Sequence, residues 1–163
     1  MYIKLSNFTE DKYWMHYALK LANYAWNLGE VPIGAVIVRD GILLSEGWNC
    51  SILLHDPTAH AEIIALRHGG QKLSNYRLIH TTLYVTLEPC LMCMGAIVHS
   101  RIDRLVFGAN DKKYGVTKLF KNNQILQLNH RLKLTGSVLG VKCSNFLKKF
   151  FQNCRQKNIK INN

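Results

Sequence analysis

No apolar run in this sequence lasts more than a few residues, far short of the ~20 that a membrane-spanning helix needs. A role across or in a membrane is therefore not expected. Met1-Tyr2-Ile3-Lys4 is not followed by the apolar segment of a secretory signal, so the reading is a cytoplasmic protein. Cysteine is too scarce and too odd in number for a disulfide framework: there are five, Cys50, Cys90, Cys93, Cys143 and Cys154, in a chain large enough to do without one. Internal repeats and low-complexity linkers are also lacking, and with 163 residues at 48% hydrophobic the expectation is a single globular domain over 1–163.

Acidic residues are the other shortage. Ten Asp and Glu stand against 21 Lys and Arg, a net charge of +11. Such an imbalance favours polyanion partners, and a phosphate backbone is the commonest in a cytosol, so nucleic acid becomes the leading partner. The bland counterpart is a merely basic protein.

The periodicities suggest an order of elements. Trp14, Ala18, Leu21, Ala22 and Ala25 recur at helical spacing before a stop at Gly29. Ile33 to Val38 and Ile42 to Gly47 flank Asp40-Gly41, a hairpin turn signal. A helix begins near His60 and runs to Gly69-Gly70, Leu83 to Leu87 reads as a strand, and Pro89 is expected to open a helix at a position where its missing N–H is harmless. Arg104 to Phe107 and, more weakly, Leu132 to Val138 read as strands. Residues 141–157 form an amphipathic helix, with Cys143, Phe146, Leu147, Phe150, Phe151 and Cys154 on its apolar stripe and Lys148, Lys149, Arg155 and Lys157 off it. Alternating strands and helices indicate a layered α/β fold.

Two stretches carry chemistry. His60-Ala61-Glu62 sets an imidazole and a carboxylate two residues apart at a helix start, and Pro89-Cys90-Leu91-Met92-Cys93 supplies two thiols three apart. One His, two Cys and a spare carboxylate suit a catalytic zinc, which takes three protein ligands and keeps a fourth position open. Cys90 and Cys93 share a helical face. His60 and Glu62 would diverge by about 200° in a regular helix, so they must reach the metal from its first turn. Two helix N-termini would then favour thiolate and hydroxide. Cys50, Cys143 and Cys154 read as small buried hydrophobes or inert thiols.

These residues match the H-x-E…P-C-x-x-C signature of the zinc nucleobase deaminases, the family for which that signature is the defining example. Within it the chain resembles the bacterial tRNA-specific adenosine deaminases. The resemblance runs from about Glu10 to Arg155, through Glu30-Val31-Pro32-Ile33-Gly34-Ala35-Val36, Gly47-Trp48-Asn49, His55-Asp56-Pro57-Thr58-Ala59-His60-Ala61-Glu62, Asn75-Tyr76-Arg77-Leu78, Leu83 to Cys90, Ser100-Arg101-Ile102 and Val106-Phe107-Gly108-Ala109. It implies a three-layer α/β/α cytidine-deaminase-like fold with a five-stranded mixed sheet and helices on both faces. It also implies a homodimer with one zinc per subunit, held by His60, Cys90 and Cys93. The implied reaction is adenosine to inosine at the first anticodon nucleotide of tRNA, an arginine tRNA in this family, with a zinc-activated hydroxide attacking C6 and Glu62 shuttling protons. Asn49 matches a nucleoside-contacting residue, Pro32, Ala61 and Leu87 match lining of the base pocket, and Asp111 matches a family aspartate whose other reading is a solvated turn residue. The tail, with Lys148, Lys149, Arg155 and Lys157, resembles a helix that contacts the tRNA anticodon stem-loop. The chain departs from the family over Asn110 to Phe120, where small residues are usual.

Two other classes stay open on the residues alone: a deaminase of a free base or nucleoside such as guanine or cytosine, and a non-catalytic zinc module that binds RNA. The charge and basic tail speak against the first. Glu62 speaks against the second, because a purely structural metal has no use for a spare carboxylate.

Overall fold

The computed structural model describes residues 7–116 and 130–161, with the side chains of 7, 8 and 157–161 outside that description. Helix α1 (Asn7–Asn27) buries Trp14, Ala18, Ala22 and Ala25 as the periodicity predicts, together with Met15 and Leu19. Gly29 ends it at φ +80°: the Gly29 N–H donates to the Trp26 carbonyl (2.9 Å) and the Glu30 N–H to the Ala25 carbonyl (3.0 Å). That is a Schellman cap, in which an αL glycine lets the chain turn back and satisfy the last carbonyls. Strands β1 (Gly34–Arg39) and β2 (Ile42–Trp48) form the expected hairpin. Asp40 and Gly41 both have positive φ, 53° and 72°, as a tight type I′ turn demands.

The remaining elements are α2 (Ala61–Leu73), β3 (Thr81–Leu87), α3 (Leu91–His99), β4 (Arg104–Ala109), β5 (Lys133–Thr135) and α4 (Gly140–Ile161). The five strands make one mixed sheet in the order β2-β1-β3-β4-β5. β1 is antiparallel to both its neighbours, while β3, β4 and β5 are mutually parallel. Four strands therefore point one way and only β1 the other. The carboxyl ends of β2, β3 and β4 and the start of β1 thus meet at one end of the sheet.

Alternation along the strands divides the core in two. Ala35, Ile37, Leu83, Val85, Leu105 and Phe107 face α2 and α3, which supply Ala61, Ala65, Met94, Ile97 and Val98. Val36, Val38, Tyr84 and Val106 face α1 and α4, which supply Trp14, Met15, Ala18 and Cys143. This is the expected three-layer α/β/α arrangement, helices covering both faces of a five-stranded mixed sheet. Two glycines set the layer spacing at the hairpin. A Cβ at Gly34 would strike the Ala18 carbonyl of α1, and one at Gly47 would strike the Ala61 carbonyl of α2. An ion pair ties the layers from the side: Arg104 donates to both Asp11 carboxylate oxygens at 2.8 and 2.7 Å, and the Tyr84 hydroxyl donates to Asp11 at 3.1 Å.

Several boundaries differ from those expected. α2 runs through Gly69-Gly70 to Leu73 and is capped by Ser74 in the αL region. A Cβ at Gly69 would press on Ser45 Oγ and Leu78, so this glycine marks close packing and not a stop. Pro89 lies before α3 and not in it, since Cys90 is the N-cap and Leu91 the first helical residue. β5 is three residues, confined to Lys133–Thr135. The tail helix spans Gly140–Ile161, longer at both ends, and Phe151, assigned to its apolar stripe, is exposed. Of the divergent Asn110 to Phe120 stretch, Thr117 to Phe120 lie outside the described residues. No described helix is long and apolar enough to cross a membrane.

Candidate active site

The strand ends deliver the predicted residues to one place. α2 starts after the long connection from β2, and α3 starts just after β3, so both helix N-termini sit at the crowded end of the sheet. His60 is the N-cap of α2 (φ −72°, ψ 157°) and Cys90 the N-cap of α3 (φ −76°, ψ 172°). Neither side chain caps its own helix, so the ring and the thiol are released for other work. Extended backbone at His60 also resolves the divergence from Glu62, because only Glu62 lies in helical geometry.

The His60 Nδ1 atom lies 3.5 Å from Cys93 Sγ and 3.7 Å from Cys90 Sγ, and all three ligand atoms fall within 4.8 Å of one another. Zinc–sulfur bonds of ~2.3 Å and zinc–nitrogen bonds of ~2.0–2.1 Å at tetrahedral angles set such atoms about 3.6 Å apart. The triangle is thus already sized for zinc. Among the described residues it is the one His, Cys, Asp and Glu grouping of this kind, and it supplies three of the four ligands that a tetrahedral zinc takes.

Protonation follows from crowding and burial. Cys90 is held down at about 4, first by hydrogen bonding from Cys93 and then from His60, and so stands as a thiolate. Cys93, fully buried, is pushed up by its hydrogen bond to Cys90 and by desolvation, and keeps its proton until a metal displaces it. His60 is raised, chiefly by its bond to Cys90. Glu62 is 4% exposed, and burial lifts its carboxyl to about 7. A carboxyl in hydrogen-bond contact with Cys93 and titrating near neutrality is suited to taking and returning a proton.

The other predicted pocket residues gather at the same end of the sheet. Pro32 and Ala61 are buried and Leu87 is half-buried, at the approach to β1, the start of α2 and the end of β3. Asn49, 5% exposed, follows β2, and its Nδ2 donates to Glu30 Oε2 at 3.3 Å. A carboxylate only accepts, so this bond fixes the amide's orientation and leaves Oδ1 for another donor. Asp111 follows β4. Its Oδ1 accepts from the Lys113 and Tyr114 N–H groups (2.8 and 3.2 Å), and its own N–H donates to Glu88 Oε2 at 2.9 Å. One of its oxygens is therefore committed to a turn.

Two supporting carboxylates escaped the sequence reading. Glu30, 1% exposed, accepts from the Ile52 and Leu53 N–H groups, each at 2.8 Å, as well as from Asn49. Glu88, also buried, holds Asp111. The available signal was a carboxylate next to an apolar run, in Glu30-Val31-Pro32-Ile33 and Leu87-Glu88-Pro89. The basic tail residues stand apart from this cluster, on the layer across the sheet. Lys148, Lys149 and Arg155 are exposed on α4, and the side chain of Lys157 lies outside the described residues. Of the remaining thiols, Cys50 and Cys143 are buried and Cys154 is half-buried on α4. Cys143 is pushed up to about 11 by burial, and Cys50, likewise raised by burial, donates to the Trp48 carbonyl at 3.2 Å.

Residues 8–109 match the cytidine and deoxycytidylate deaminase zinc-binding region. The tRNA-specific adenosine deaminase of Haemophilus influenzae is 55% identical over 148 residues, covering 90% of this chain and 86% of that protein. The enzyme of the same name from Buchnera aphidicola subsp. Baizongia pistaciae is 54% identical over 147 residues, covering 90% and 91%. A solved structure from a study of A-to-I editing by tRNA:A34 deaminases superposes with a TM-score of 0.77 at 38% identity, covering 82% of this chain and 98% of that one. With its ligand triangle and adjacent carboxylate inside the matched region, the chain belongs to the zinc-dependent cytidine and deoxycytidylate deaminase family, in its tRNA-specific adenosine deaminase branch.

Proposed function

We propose that the protein hydrolyses adenosine to inosine at the first anticodon position of a tRNA, with an arginine tRNA as the first substrate to try, and that it works as a homodimer. The observation that carries this reading is Glu62, a buried carboxyl held near neutrality beside a triangle of three ligands, one fewer than the four of a structural zinc. Bound zinc would supply the Lewis acidity that makes water nucleophilic at neutral pH. Glu62 takes the proton from the attacking water, passes it to the ring nitrogen beside C6, and moves a proton to the departing amine, which leaves as ammonia. Asn49, fixed by Glu30, offers Oδ1 to a nucleoside donor. Pro32, Ala61 and Leu87 give the base an apolar seat, and Asp111 stands at the rim. The names of the relatives and a charge of +11 favour tRNA over a free base. Lys148, Lys149, Arg155 and Lys157 would neutralise phosphates of the anticodon stem.

The test offers the zinc-loaded protein total tRNA in one series and free guanine, cytosine and their nucleosides in another, and measures ammonia release. Release from tRNA alone supports the reading. Release from a free base with none from tRNA would replace it.

A further inference from the structure

We propose that the groove between α1 and α4 binds the sugar–phosphate backbone of the RNA on its way to or from the nucleotide at the metal centre; this rests on the tRNA reading above. The groove has a volume of about 1500 Å³, beyond the ~300–1,000 Å³ usual for small-molecule pockets. Its lysines come from both walls and one end: Lys20 on α1, Lys142, Lys148 and Lys149 on α4, and Lys112 after β4, with His16 of α1 among them. No Asp or Glu among the described residues lines it. Lys20, Lys142, Lys148 and Lys149 make no ion pair among the described residues. The walls approach closely, with Lys142 Nζ 3.4 Å from His16 Nδ1. Lys20, Lys142, Lys148 and Lys149 on one concave surface repel one another, and an extended polyanion relieves that repulsion along its whole length.

Position selects RNA as the occupant. Asn110 and Lys112 line the groove, and between them Asp111 donates its N–H to Glu88, two residues ahead of Cys90. The groove therefore opens at the sheet end where the ligand triangle sits, and a strand carrying its nucleotide to that triangle can continue over this edge. Lys20 and Lys142 extend the basic surface beyond the residues for which the family resemblance gives a reason, and Lys20, on α1, makes it two-walled.

The test measures binding of total tRNA at a series of salt concentrations, for the wild type, for Lys20→Ala/Lys142→Ala, and for Lys72→Ala/Lys133→Ala as a charge-matched control away from the groove. If both groove lysines contact phosphates, affinity falls and the slope of log K against log salt flattens by about 1.4 to 1.8, at ~0.7–0.9 per contact. The control keeps the wild-type slope, and Lys20→Arg/Lys142→Arg restores it. Wild-type slope in the groove variant, with tRNA still edited by the wild type, overturns the groove alone. Equal flattening in the control also overturns it, as a diffuse charge effect. A wild type that neither binds nor edits tRNA overturns both readings. All four lysines are exposed, and Lys20→Gln/Lys142→Gln, which preserves side-chain length, repeats the measurement should the alanine variant melt early.

Discussion

Replacing Glu62 by Gln separates catalysis from metal binding. Gln keeps the size and one carbonyl oxygen, so no cavity opens in a site that is 4% exposed, but it cannot accept and return a proton. General acid–base catalysis by a placed side chain contributes ~10²–10⁴ in rate, equivalent to about 3–5 kcal/mol of barrier. Zinc content should stay at one per chain, because the triangle of His60, Cys90 and Cys93 does not include residue 62. The same substitution has a second, opposite consequence. In the metal-free protein the Glu62 carboxyl is raised from 4.5 to about 7 by burial, so the fold favours its neutral form. That preference costs nothing below the unfolded value, where both states are protonated. The cost grows as pH rises from 4.5 through 7, and is complete above it at about 3 kcal/mol. Metal-free Glu62→Gln should therefore be more stable than metal-free wild type at pH 8, by up to that amount, with the difference gone near pH 4. The assays are single-turnover deamination of tRNA with zinc quantified on the same sample, and urea melts of chelator-treated protein at both pH values. A zinc-loaded Gln variant within tenfold of wild-type turnover would refute the role assigned to Glu62.

Metal analysis of Cys90→Ala should find the zinc lost, whereas Cys154→Ala should keep it; the reverse would break the ligand assignment. Zinc affinity should fall as pH falls, because the metal must displace the proton that Cys93 holds and His60 must be neutral; a pH-independent affinity, measured by competition with a chelator, would contradict this. Asp11→Ala should destabilise the fold by about 2–4 kcal/mol, since it strands Arg104, whose side chain is 26% exposed; an unchanged denaturation midpoint would show the pair to be idle.

The metal ligands were legible because zinc chemistry allows few residue types, and the spacing His60, Cys90, Cys93 puts each at a helix start. The hairpin was legible for a similar reason: Asp40-Gly41 leaves the backbone few alternatives. What escaped depends on partners distant in sequence. Glu30 is recognisable as a clamp only once Ile52 and Leu53 come within 2.8 Å of it, and Arg104 only once Asp11, 93 residues away, meets it. Gly69-Gly70 read as a stop because a glycine costs a helix about 1 kcal/mol against alanine. The structure retains Gly69 inside α2 because a side chain there would press on Ser45 and Leu78. Pro89 was misplaced by two positions for want of the cap itself: nothing in the sequence distinguishes Cys90 as N-cap from Cys90 as a residue inside the first turn. The basic tail was read as one face, yet Lys148 and Lys149 line the groove with α1 while Arg155 does not, a division that only the packing of α4 creates.

The most direct test of the central claim is to incubate the zinc-loaded protein with total tRNA and sequence the product for adenosine-to-inosine conversion, with Glu62→Gln in parallel. The account predicts inosine at the first anticodon position of an adenosine-bearing tRNA with the wild type, and a loss of about a hundredfold or more with the variant. Unconverted tRNA with a zinc-loaded wild type, or equal conversion by both proteins, would contradict it.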